Sequence, residues 1–160
     1  MNFDQAFDLL VTHEGGFVHR PFSDDPGGAT KYGITEKTAR ANGYDGAMQD
    51  LTLDFAKSVY RKQFWDACQC DVMPDPLKYP LFDAAVNSGV GQAVKWLQSA
   101  LGVKADGSIG SITRQAANMC APQVVRQQMI GKRLRFMTEL NNWQANAKGW
   151  SRRLAAILEM

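Results

Sequence analysis

A chain of 160 residues, 45% apolar and 10% aromatic, suits one domain, or one domain with a small appended part, and can bury a sizeable core. The net charge of +2 does not by itself point to nucleic acid, and no apolar run approaches the ~20 residues needed to span a bilayer. The three cysteines, Cys68, Cys70 and Cys120, are an odd number without ligand-spaced histidines, so reduced thiols are expected and neither a cofactor nor a metal.

In chain order, the first element is a helix. Phe3, Phe7, Leu10 and Val11 fall at i, i+4, i+7 and i+8, Asn2 can cap the start, and Gly15-Gly16 supply the stop. An irregular stretch with Pro21, Pro26, Gly27 and Gly28 follows. "TKYGIT" (30–35) then reads as a short strand in a small hairpin region. Helices are predicted over 36–42, 52–67, 80–88, 91–101, 111–119 and 123–142, with a last one near 148–158. The proline-rich "CDVMPDPLKYP" (70–80) is read as a break. The expected class is mainly α, with a small β element behind the first helix.

Chemistry concentrates near the N-terminus. Glu14 lies seven residues after Phe7, on the apolar face of the first helix. A carboxyl pressed toward a core should have a raised pKa, which suits a general acid. The competing reading is a helix-end glutamate turned to solvent. "SDDPGGAT" (23–30) then brings Asp24, Asp25 and Thr30 around a glycine turn. One carboxyl to protonate a leaving oxygen, and a second group to stabilise an oxocarbenium-like state or activate water, is the need of glycosidic bond hydrolysis. Either aspartate also has a purely structural reading, bonding its own turn.

Four motifs carry a resemblance. "HEGGFV", "DPGGATKYGIT" and "DAAVNSGVGQAVKWLQ" together are similar to glycoside hydrolase family 108, N-acetylmuramidases found widely as phage endolysins. "ADGSIGSIT" (105–113) resembles the signature of the peptidoglycan-binding segment that accompanies it. The resemblance runs from Phe3 to Trp150. It implies a two-lobed, lysozyme-like α+β fold with a cleft beside the β region. Residues 1–80 would form the catalytic part and 81–160 a helical lobe with the binding segment, packed as one compact domain. It puts the catalytic glutamate on Glu14, the turn aspartate on Asp25 and the threonine on Thr30. Asp24 is the alternative, since it satisfies the Asp-x5-Thr spacing of other phage lysozymes.

Further residues are candidates to line the cleft. Tyr32 either borders the groove or packs on the sheet. The Asn87 amide either binds a sugar acetamido group or caps its helix. Trp65 is read as core ahead of a sugar platform. His13 and His19 are read as structural. The activity the resemblance implies is hydrolysis of the β-1,4 bond between N-acetylmuramic acid and N-acetylglucosamine, leading to host lysis. A lytic transglycosylase on the same bond, or a non-catalytic peptidoglycan-binding protein, is the alternative.

The expected partner is the peptidoglycan glycan strand, with the protein a monomer. The start "MNFDQAFDLL" carries acids rather than a basic leader, so synthesis in the host cytoplasm is expected, with action on the wall after membrane permeabilisation. From Gln123 to Met160, seven cations (Arg126, Lys132, Arg133, Arg135, Lys148, Arg152, Arg153) face two acids, a local +5. That excess reads either as a solvated helix face or as a contact for outer-membrane polyanions.

Overall fold

The computed structural model describes residues 1–13 and 29–160, and nothing is described of the His13 side chain. Glu14, His19, Asp24 and Asp25 lie outside the described residues. The described elements are helix α1 (Phe3–His13), strands β1 (Thr30–Lys31) and β2 (Ile34–Thr35), and helices α2 (Glu36–Ala41), α3 (Leu53–Tyr60), α4 (Asp75–Ser88), α5 (Val90–Leu101), α6 (Ser111–Met119), α7 (Pro122–Thr138) and α8 (Trp143–Leu158).

Local chemistry sets most of these boundaries. Asn2 and Gln5 cap α1 reciprocally: the Gln5 N–H donates to Asn2 Oδ1, and the Asn2 N–H donates to Gln5 Oε1, both at 2.9 Å. Thr35 and Thr52 accept from Thr38 and Phe55 N–H groups at the starts of α2 and α3. The strands pair antiparallel, Thr30 opposite Thr35 and Lys31 opposite Ile34. Their two-residue loop, Tyr32-Gly33, has φ of 52° and 75°, as a tight primed hairpin turn requires.

Four boundaries depart from expectation. The predicted break holds only for 70–74, where Cys70–Val72 make a 3-10 turn; from Asp75 the segment is the first turn and a half of α4, which runs through Pro80. Pro76 stands at the helix start, where its missing N–H is harmless, but Pro80 costs the bond to the Pro76 carbonyl. Burial on α4 holds the helix regardless: Leu77, Tyr79, Leu81, Phe82, Ala84 and Ala85 are all buried. The predicted 52–67 helix changes pitch after Tyr60, where Arg61–Asp66 form a π-helical turn. Helix α7 stops at Thr138 rather than 142, and α8 begins at Trp143 rather than near 148.

The core joins α4 to the elements on either side. Phe3, Phe7, Trp65 and Phe82 meet tilted or edge to face at 5.6–6.0 Å, which fixes α1 on the π-helical turn and α4. Burying each such ring contributes about 1.5–3 kcal/mol. On the other side of α4 lie α5 and α7, with α8 packed against α7.

Candidate active site

Helix α1 ends at His13, directly before Glu14, and the description resumes at Ala29, directly after the Asp-Pro-Gly-Gly sequence. The frame that holds these two ends is well defined. Phe3, Phe7 and Leu10 anchor α1 in the core. Buried Ala29 accepts a 2.9 Å bond from the Glu36 N–H, tying the start of the hairpin to α2.

Tyr60 connects the two ends. Its ring meets Phe7 edge to face at 5.4 Å, and its hydroxyl donates a long bond of 3.4 Å to the Tyr32 carbonyl. One buried side chain at the end of α3 therefore touches both the helix that leads into Glu14 and the turn just beyond Thr30. The sequence reading did not single out Tyr60. The signal was its place on the α3 apolar stripe, four residues after Ala56, at the point where the helix widens into the π turn.

Thr30 and Tyr32, both half-buried, sit together on this hairpin. The Lys31 ammonium lies 5.3 Å from the Tyr32 ring, and Lys31 also donates to the Gln49 carbonyl. Tyr32 packs partly against the core, so its two readings coexist. Asn87 is exposed in the last turn of α4, and its amide donates to the Asp83 carbonyl at 2.8 Å. It is not the cap; Gly89, with φ of 82°, takes that position.

Trp65 is corrected. It is 0% exposed, ringed by Phe3 and Phe82, and its indole N–H donates to Asp71 at 2.9 Å. A fully buried ring offers no face to a sugar, so Trp65 is core and not a binding platform.

Two of the seven C-terminal cations are corrected as well. Arg133 donates to Asp83 at 2.5 Å, and Arg153 reaches the other Asp83 oxygen at 2.6 Å. Asp83 is 0% exposed and Arg133 2%. The Tyr79 hydroxyl also donates to Asp83, at 3.4 Å; burial, and then the nearby carboxylate, push this phenol well above its ordinary pKa. These arginines belong to an internal clasp between α4, α7 and α8 and do not face an envelope. Arg135, Lys148 and Arg152 remain exposed.

A third constellation organises "ADGSIGSIT". The Gln98 side chain, buried on α5, shares its amide protons among Asp106 Oδ1 (2.8 Å), the Ser108 carbonyl (2.9 Å) and Thr113 Oγ1 (3.1 Å), and its carbonyl accepts from the Gly107 N–H (2.8 Å). Gly107 has φ of 85°, and a Cβ there would stand 3.2 Å from the Gly91 carbonyl. The Gln98 bond, then the Ser108 N–H, lower the pKa of the Asp106 carboxyl.

Among the described residues, no cluster of three or more histidine, cysteine or acidic side chains suits a metal. No described helix is long and apolar enough to cross a membrane.

These features define a mainly α-helical, lysozyme-like protein with a small hairpin beside its first helix. The Glycosyl hydrolase 108 family model matches residues 7–89, and the model for a Predicted Peptidoglycan domain matches residues 92–155. The chain belongs to glycosyl hydrolase family 108 and carries the associated peptidoglycan domain. It is a glycoside hydrolase that acts on peptidoglycan. Among solved structures it is similar to Brucella abortus SagA, with 32% identity and a TM-score of 0.83 over 98% of this chain and 91% of that one. No curated protein is a significant match.

Proposed function

We propose that this enzyme is an N-acetylmuramidase that hydrolyses the β-1,4 bond between N-acetylmuramic acid and N-acetylglucosamine, and that it serves as a phage endolysin. In this reading Glu14 is the general acid. Asp25, with Asp24 as the alternative, stabilises the developing positive charge or, with Thr30, orients the water. Tyr32 and the Asn87 amide border the bound glycan.

The observation that carries the reading is the Tyr60 contact. The flank of Glu14 (through Phe7) and the turn beyond Thr30 are pinned to one side chain. A two-carboxylate mechanism needs its groups held at a fixed spacing, and Tyr60 joins the described segments that precede Glu14 and follow Asp25.

Mass spectrometry of digested peptidoglycan tests it. Muramic acid at the new reducing ends is expected. Anhydro-muramic ends would mean a transglycosylase, and glucosamine ends a glucosaminidase. Glu14→Gln keeps the shape and removes the proton donor, so turbidity loss on purified peptidoglycan should fall by ~10²–10⁴-fold. Of Asp24→Asn and Asp25→Asn, only the second should be as damaging; the reverse result would move the assignment to Asp24. For delivery, the protein would be made in the host cytoplasm and reach the wall after another agent permeabilises the membrane.

A further inference from the structure

Between the end of α5 and the first turn of α6 lies a cavity of about 240 Å³. Its walls include Val103, Lys104, Ser108 and Ile112, over a floor formed by Gln98 and Thr113. The floor is rigid, because Gln98 and Thr113 are buried and bonded to each other and to the loop. The rim is different in kind. Ile112 is 71% exposed although it is large and apolar, and Lys104 is exposed beside it. The Asp106 carboxylate is engaged by Gln98 and the Ser108 N–H. Lys104 is the cation among the lining residues; Asp106 lines the cavity too, and Lys104 helps to lower its pKa.

We propose that this cavity is a subsite for the peptide stems of peptidoglycan, with Lys104 meeting a stem carboxylate and Val103 and Ile112 covering the aliphatic part of the stem. The proposal rests on peptidoglycan as the substrate and on the match of residues 92–155 to a peptidoglycan domain, to which it gives a location. Size and chemistry both select the stem over the glycan. The cavity is smaller than the ~300–1,000 Å³ of clefts that enclose larger organic ligands, so it suits one or two small residues rather than a chain of amino sugars. Stem peptides carry free carboxylates and alanine methyl groups, which complement a cation beside an apolar wall. Binding the stem here would raise the residence of the enzyme on the wall without touching the bond that is cut.

The test uses the full chain and a synthetic stem tetrapeptide as the probe. Titration calorimetry should show binding to wild type that weakens as salt rises. Lys104→Glu and Ile112→Ser together should raise the peptide Kd about tenfold or more, by replacing attraction with repulsion and removing the apolar contact. On intact sacculi the double variant should show a raised KM with kcat unchanged. On peptide-stripped glycan its rate should equal that of wild type, which also shows that the fold survives. No binding of the tetrapeptide to wild type, or a Kd within twofold in the double variant, overturns the proposal. Failure of the cleavage reading is separate: it would appear as the absence of muramic acid ends in the wild-type digest while the peptide still binds.

Discussion

Asp83 interrupts the apolar run "LFDAAV", and the structure gives that carboxylate two arginine partners and a tyrosine. Two guanidiniums depend on it, that of Arg133 buried and that of Arg153 nearly so. Replacing it by Asn keeps the volume and leaves both cations without their counter-charge. Removing one partner of a buried ion pair typically costs ~3–5 kcal/mol, and Asp83→Asn should lower stability by about that much in urea unfolding. A triple change to apolar residues at 83, 133 and 153 should recover much of the loss; no recovery would mean that the cluster acts through more than charge pairing. At the surface, Asp75 has its carboxyl pKa lowered from 3.8 to about 2, first by a bond from Lys78 at 2.7 Å and then by the Met1 amino group at 2.9 Å. A pKa lowered on folding contributes stability that is present above the unfolded value and lost as pH falls from there through about 2. Unfolding midpoints of wild type and Asp75→Asn, measured from pH 5 down to 2, should therefore converge at the acid end. Curves that stay parallel would contradict this.

The hairpin is the element whose geometry is most tightly specified. Gly33 has φ of 75°, and an added Cβ would run into the Tyr60 hydroxyl. Gly33→Ala should therefore destabilise by more than the ~1–2 kcal/mol of a left-handed backbone alone. Tyr60→Phe removes the obstructing oxygen, so in that background the glycine change should cost less, near the backbone value. A double-mutant cycle from denaturant midpoints measures the difference. If the two changes are simply additive, Tyr60 does not clamp the turn. Much of this element was legible in "TKYGIT", because a two-residue loop ending in glycine is a local signal. The clamp was not, because Tyr60 lies 28 residues beyond Tyr32.

At the scale of the whole molecule, α4 belongs to the segment matched as the hydrolase, while α7 and α8 belong to the segment matched as the peptidoglycan domain. The Asp83 clasp joins the two across 50 and 70 residues. A chain cut at residue 90 would lose both arginines and the apolar cover of α4. It should show no cooperative unfolding and no activity, whereas a detachable binding module would leave both intact. The exposed cations can be separated from this structural role. Reversing Arg135, Lys148 and Arg152 to Glu should leave hydrolysis of isolated peptidoglycan unchanged and weaken killing of intact cells. The effect should be largest at low salt, because the Debye length is ~10 Å at 0.1 M and ~3 Å at 1 M. Equal killing by variant and wild type at low salt would make these residues ordinary solvated charges.

What the sequence determined by itself was short-range. The Asn2 cap, the apolar stripe of α1 and the helices over 91–101 and 111–119 all rest on contacts within a few residues, and each formed where it was expected; 30–35, read as one short strand of a hairpin region, is instead a complete hairpin that turns at Tyr32-Gly33. The four motifs also carried the family, because their order and spacing are properties of the chain alone. The tertiary structure decided the rest. Pro80 reads as a break, yet it lies inside a helix because burial on α4 outweighs one missing bond. Trp65 could have faced a sugar until Phe3 and Phe82 enclosed it. Val125, Met129, Arg133 and Met137 share one helical stripe, and only the position of Asp83 on another helix explains an arginine among the apolar three. Helical period places a side chain on a face; what that face meets is set by packing between segments distant in the chain.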